Sequence, residues 1–160
     1  MFDNIGVGLW ADIACDDWTV RNCAVHGNTL SGIMFEISSR ATIEDNALWH
    51  NGEKDLRGWG WPGQILVSSA TGTIEVRRNT MAYGLKGVSV ITQNRPDRPP
   101  GSGSNIHVTN NTGVLSGVNG WYDDWAGGFA GKIDTGNVTY TSHTAAADAA
   151  LAAAGIPLVA

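Results

Sequence analysis

The chain has 160 residues, a net charge of -5 and only 16% charged side chains, against 21 glycines and 7 tryptophans. That length makes one domain the expectation, and an acidic chain with no basic run is a poor partner for nucleic acid. No run of 18 apolar residues occurs, so no membrane-spanning helix and no membrane partner are expected; Met1-Phe2-Asp3 also lacks the basic start and apolar core of a secretory leader.

The predicted elements come in repeats. Gly8-Leu9-Trp10-Ala11-Asp12-Ile13 opens a first family of strands, and Gly32-Ile33-Met34-Phe35-Glu36-Ile37 repeats it. Gly63-Gln64-Ile65-Leu66-Val67-Ser68 and Gly87-Val88-Ser89-Val90-Ile91-Thr92 follow, with the glycines 24, 31 and 24 residues apart. A second family runs out of phase with it: Val20-Arg21-Asn22-Cys23, Ile43-Glu44-Asp45-Asn46, Val76-Arg77-Arg78-Asn79 and Val108-Thr109-Asn110-Asn111. No helical stripe lies between the two families. A fixed period with short β-branched runs and no helix describes the coils of a parallel β-helix, an all-β solenoid. Asparagine tolerates the left-handed region and hydrogen-bonds locally, so Asn46, Asn79 and Asn111 are expected to stack as a ladder, with Cys23 in that place one coil earlier.

Five coils are read at 1–17, 18–40, 41–72, 73–104 and 105–136, with a last strand at Gly136–Tyr140. Residues 53–62 lengthen the third coil and residues 93–104 the fourth; such insertions map to loops, often on the binding face. The solenoid is expected to occupy residues 1–143. Residues 144–160 then hold an Ala-rich helix covering the open end of the last coil, with Thr144 as N-cap and Gly155 as C-cap. The first coil has no evident cap. It is expected to pair with another copy through its N-terminal edge, or to be the start of a fragment of a longer solenoid.

These repeats resemble the right-handed parallel β-helix proteins, the superfamily that includes pectate lyases and several glycoside hydrolases. The resemblance implies the handedness, a polysaccharide or oligosaccharide partner, and an extracellular or periplasmic home. It leaves the activity open, since one fold hosts many chemistries.

Strand alternation separates inward from outward residues. Leu9, Ala11 and Ile13 share one face, as do Ile33, Phe35 and Ile37, then Leu66 and Val90; these are assigned to the core. The outward set is then Trp10 and Asp12, Met34 and Glu36, Ile65 and Val67, Ser89 and Ile91. An apolar exterior strip of this kind marks a binding site. Asp12 and Glu36 hold the same strand position in successive coils. Parallel strands lie ~4.8 Å apart, which matches the carboxyl spacing of about 5 Å in retaining glycosidases. Two like charges so close cannot both ionise easily, so one is expected to serve as an acid.

The segment Trp10-Ala11-Asp12, followed one coil later by Phe35-Glu36, is similar to the site of the β-helix family of retaining β-xylosidases. That resemblance, over residues 10–36, implies Asp12 as nucleophile and Glu36 as acid/base. Trp10, Met34, Trp59, Trp61, Arg95, Trp121 and Asp124 are the candidate substrate-binding residues. Two other readings stand beside the hydrolase. One is a polysaccharide lyase, whose base would come from Arg40, Lys54, Arg57, Arg95 or Arg98; the other is a binding or structural solenoid without catalysis. No cofactor is expected, and calcium only if Asp3, Asp16, Asp17 and Asp55 converge. Cys15 and Cys23 read as two buried thiols rather than a bridge, and His26, His50, His107 and His143 show no metal spacing.

Overall fold

The computed structural model describes residues 1–54, 61–93, 103–123 and 128–159. Within them, short strands build three sheets. The first sheet holds β1 (Leu9–Asp12), β4 (Ile33–Glu36), β7 (Ile65–Ser68), β10 (Val88–Thr92) and β13 (Gly120–Asp123). The second holds β2 (Asp16–Arg21), β5 (Ser39–Glu44), β8 (Thr71–Arg77), β11 (Ile106–Thr109) and β14 (Ile133–Thr135). β3 (Ala24–His26), β6 (Ala47–Trp49), β9 (Thr80–Ala82), β12 (Thr112–Val114) and β15 (Val138–Tyr140) form the third. Each strand pairs in parallel with its equivalents one coil before and after. The chain is therefore a β-helix of five coils, each with three strands. Sequence alternation shows two of the sheets; strands of the third have three residues each, too few for a period of two to stand out.

The interior is filled by columns of apolar side chains. Ala11, Phe35, Val67 and Val90 stack in the first sheet, Val20, Ile43, Val76 and Val108 in the second, and Val25, Leu48 and Met81 in the third, all buried. Register corrects the sequence reading in the third coil. Ile33 pairs with Ile65 and Phe35 with Val67, so Ile65 and Val67 point inward and Leu66 outward. Gln64, not Gly63, stands in the column with Gly32 and Gly87. A one-residue slip in a strand exchanges its two faces, and that is the difference here.

Two side-chain ladders fix the register. Asn46 Nδ2 donates to Asn79 Oδ1 at 2.9 Å, Asn79 Nδ2 to Asn111 Oδ1 at 3.0 Å, and Asn111 Nδ2 to Asn137 Oδ1 at 3.0 Å. Each of these oxygens also accepts the backbone N–H of the ladder residue one coil earlier, and Cys23 N–H donates to Asn46 Oδ1 at 3.0 Å. The left-handed backbone belongs to the preceding residue: Asn22, Asp45, Arg78 and Asn110 have φ of 53–55°. The second ladder was not read from the sequence. It runs from Asn4 to Asn28 to Asn51, and then to the Gln64 side chain, which bonds onward to the Ala82 carbonyl at 2.6 Å.

Both ends of the core carry an aromatic cover. Trp18 stacks on Phe35 at the N-terminal end (ring centroids 5.8 Å apart), and Trp121 meets Phe129 edge-on at the other. The first residues continue the third sheet as a partial coil: Met1 N donates to Ala24 O, His26 N to Met1 O, and the Phe2 ring stacks on His26. β1 remains the edge strand of its sheet. Cys15 and Cys23 are unbridged and half-buried, in the first coil. Helix α1 (Ala145–Ala154) has the expected caps, with Thr144 accepting from Ala147 N–H and Gly155 left-handed at φ 70°. It packs through Ala147 and Leu151 against Ala82 and Val114 on the outer face of the third sheet, rather than over the open end of the last coil. An Ala-rich face needs a flat apolar surface, and the outward side of β9 and β12 supplies one.

The second sheet carries its charges outside. Arg40 grips Asp17, Arg77 pairs with Glu44, and Arg78 bridges Glu44 and Asp45. Hydrogen bonds from these guanidiniums hold Asp17, Glu44 and Asp45 below the usual carboxylate range and push Arg78 up. A carboxylate with a lowered folded value adds stability above its unfolded value and loses it as pH falls through the folded one. Urea midpoints should therefore be flat above about pH 5 and fall below about pH 4, and the fall should shrink in Arg78→Gln. Asn79→Ala should cost about 2–4 kcal/mol in the same assay, because it strands the Asn46 N–H and the Ile43 carbonyl in the interior.

Candidate functional site

The outward face of the first sheet carries two columns. Trp10, Met34, Leu66, Ser89 and Gly120 make one; Asp12, Glu36, Ser68, Ile91 and Tyr122 make the other. Asp12 and Glu36 are direct partners in the β1–β4 register, as the repeat predicts. Each is followed by a β-branched residue in the left-handed region, Ile13 at φ 48° and Ile37 at φ 45°. That backbone is costly for isoleucine, and it turns the chain sharply away just past each carboxylate.

The two acids differ in surroundings. Glu36 is 8% exposed, and the buried Ser68 hydroxyl donates to its Oε1 at 3.1 Å. Asp12 Oδ1 is buried and accepts no hydrogen bond from the described residues. A buried carboxylate oxygen without a donor is costly.

Beside the pair lies a cleft of about 580 Å³ lined by Trp10, Met34, Glu36, Trp61, Leu66 and Ile91. Ile5, Val7 and Leu30 add apolar surface, and Gln93 adds an amide. Trp10 is 57% exposed, an indole left open to a ring-shaped ligand. Asp12 is not among the described lining residues; it stands one coil further out, next to Glu36.

Of the sequence candidates, Trp10, Met34, Glu36 and Trp61 line one cleft, with Asp12 beside it. Trp121 does not belong there. It pairs with Val90 in the inward column, covers the end of the core, and donates from Nε1 to Asp134 at 2.7 Å. Trp59, Arg95 and Asp124 lie outside the described residues. Leu66 was missed because of the one-residue slip. Ser68 was missed because a serine following an apolar strand carries no distinctive signal.

The charged alternatives are scattered. Arg40 is held by Asp17 on the second sheet. Arg57, Arg95 and Arg98 lie outside the described residues, as does Asp55. Asp16 and Asp17 open the second sheet while Asp3 sits beside the third, so these acids do not converge, and no cluster fit for a metal occurs among the described residues. Another groove, of about 500 Å³, runs between α1 and the asparagine turns past Cys23, Asp45 and Arg78; none of the candidates lines it.

The architecture is that of a solenoid protein with an apolar, carboxylate-bearing cleft on one exterior sheet. Residues 2–123 match the family model described as right handed beta helix region, and the chain belongs to that family. No curated protein and no solved structure matches it.

Trp121 separates cover from cleft. Trp121→Ala should lower stability in urea unfolding by about 2–3 kcal/mol, less than a fully buried Trp→Ala.

Proposed function

We propose that this β-helix protein is a carbohydrate-active enzyme that hydrolyses a β-glycoside with retention of configuration. The observation that carries this reading is the in-register pair Asp12–Glu36 on adjacent coils, beside a cleft bearing the exposed Trp10 indole. Strands ~4.8 Å apart suit the short carboxyl separation of a retaining mechanism.

In the first step the Asp12 carboxylate attacks the anomeric carbon. The bond from that carbon to the leaving oxygen breaks, its electron pair stays on that oxygen, and Glu36 supplies the proton. In the second step Glu36 takes a proton from water, the water oxygen bonds to the anomeric carbon, and Asp12 leaves as carboxylate. The Ser68 hydroxyl orients the Glu36 carboxyl from the neighbouring coil. The acidic pair disfavours an anionic uronate at this position, and Arg40, one of the candidate lyase bases, is held by Asp17 on another sheet, so the hydrolase reading ranks above the lyase.

Kinetics on aryl β-xylosides test the roles. Asp12→Ala should lose turnover by about 10³-fold or more, and azide should restore it as the glycosyl azide of inverted configuration. Glu36→Ala should still release a good phenol leaving group in a burst and then stall, since deglycosylation needs its base. Wild-type turnover in Asp12→Ala without azide would sink the assignment. Ultraviolet-absorbing unsaturated products from polygalacturonate or alginate would put a lyase in its place. Oligosaccharide binding with no turnover of either substrate class would leave a binding solenoid.

A further inference from the structure

The lining of the cleft says what kind of leaving group it takes. Ten side chains line it among the described residues, and only those of Glu36 and Gln93 end in carboxyl or amide groups. The other eight are aliphatic, thioether or indole. A pyranose ring carries hydroxyls around its whole rim, and each one taken from water without a partner costs free energy. A site for a chain of sugars therefore needs many donors and acceptors. A mostly apolar cleft with a few polar groups at one side is instead the ordinary form of a small-molecule site, and 580 Å³ is room for one such group.

The two acids stand differently to this space. Glu36, the proton donor to the leaving oxygen, lines the cleft; Asp12, which would hold the sugar, stands one coil further toward the N-terminal edge and outside the lining. Trp10 lies on the strand of Asp12, two residues before it and on the same face, and lines the cleft. On the hydrolase reading the sugar is held at Asp12 beside the cleft, and the group that departs with the glycosidic oxygen enters the apolar lining that Glu36 shares.

We propose that the cleft is an aglycone site, and that the preferred substrates are glycosides of an apolar alcohol or phenol rather than polysaccharides. The assignment of sides rests on the hydrolase reading; the apolar preference rests on the lining itself. The reaction is the one above, with the departing oxygen carrying an alkyl or aryl group and released as the protonated alcohol or phenol.

Methyl and octyl β-D-xyloside, the latter below its micellar concentration, provide the test together with xylobiose. The two alkyl leaving groups are alike in acidity, so a difference in kcat/KM reports contact with the cleft and not leaving-group chemistry. Octyl β-D-xyloside should exceed both methyl β-D-xyloside and xylobiose by about tenfold or more. Met34→Gln, at a half-buried exterior position, should cut the octyl-to-methyl ratio by about fivefold, with thermal unfolding confirming an intact fold. Equal rates for octyl and methyl, or xylobiose as the best substrate, overturn the aglycone site and leave the hydrolase standing. If nothing turns over, calorimetric binding decides: octyl binding over methyl that Met34→Gln weakens keeps the apolar site and removes the hydrolase, and equal or absent binding overturns both.

Discussion

The structure depends on coils stacking in register at the spacing of parallel strands. Backbone hydrogen bonds alone would tolerate a shift of one coil against the next, because every residue offers the same N–H and C=O. The asparagine ladders remove that freedom. Asn46, Asn79 and Asn111 each accept from the coil before and donate to the coil after, in a buried row that no shifted register can satisfy and that Asn137 ends by accepting from Asn111. The second row, through Asn4, Asn28 and Asn51, does the same at another corner. Each inner rung uses two N–H donors and an oxygen that accepts twice, which an amide offers, whereas a hydroxyl has one donor and a carboxylate none, so asparagine and not serine or aspartate fills these places.

That stacking also makes the site. In a solenoid, residues about one period apart become neighbours at strand spacing, and whatever occupies one outward position meets its repeat on the next coil. Hence Asp12 meets Glu36, and Glu36 meets Ser68. On this fold an acidic pair is a consequence of placing an acid at the same position in two successive repeats. The third coil changes the acid to serine, which turns repulsion into a hydrogen bond to Glu36. The charged columns of the second sheet obey the same rule with opposite signs, Arg77 over Glu44 and Arg78 over Asp45, and become ion pairs.

Aromatic residues lie over both ends of the core that the described coils form. Trp18 and Phe35 close one end and Trp121 and Phe129 the other, while Trp10 and Trp61 remain for the cleft. Tryptophan content alone does not separate these uses. Trp10 and Trp121 both lie in strands of the first sheet, and only the register puts one outside and the other inside.

The sequence by itself determined the solenoid, the asparagine ladder at Asn46, Asn79 and Asn111, the capped helix, and the pairing of Asp12 with Glu36. All of these follow from local periodicity: a residue and its repeat one coil later must meet, whatever the rest of the chain does. Tertiary structure decided what periodicity cannot carry. The phase of the third coil turned on Gln64 filling a glycine column to reach the Ala82 carbonyl. The third sheet emerged from three-residue strands held by neighbours rather than by their own pattern. The helix chose the flank of β9 and β12 because an apolar surface lay there. The cleft formed where Ile5, Leu30, Trp61 and Gln93, far apart in the chain, close around Glu36. Each of these depends on contacts between segments whose meeting is set by the folded path, which no single repeat encodes.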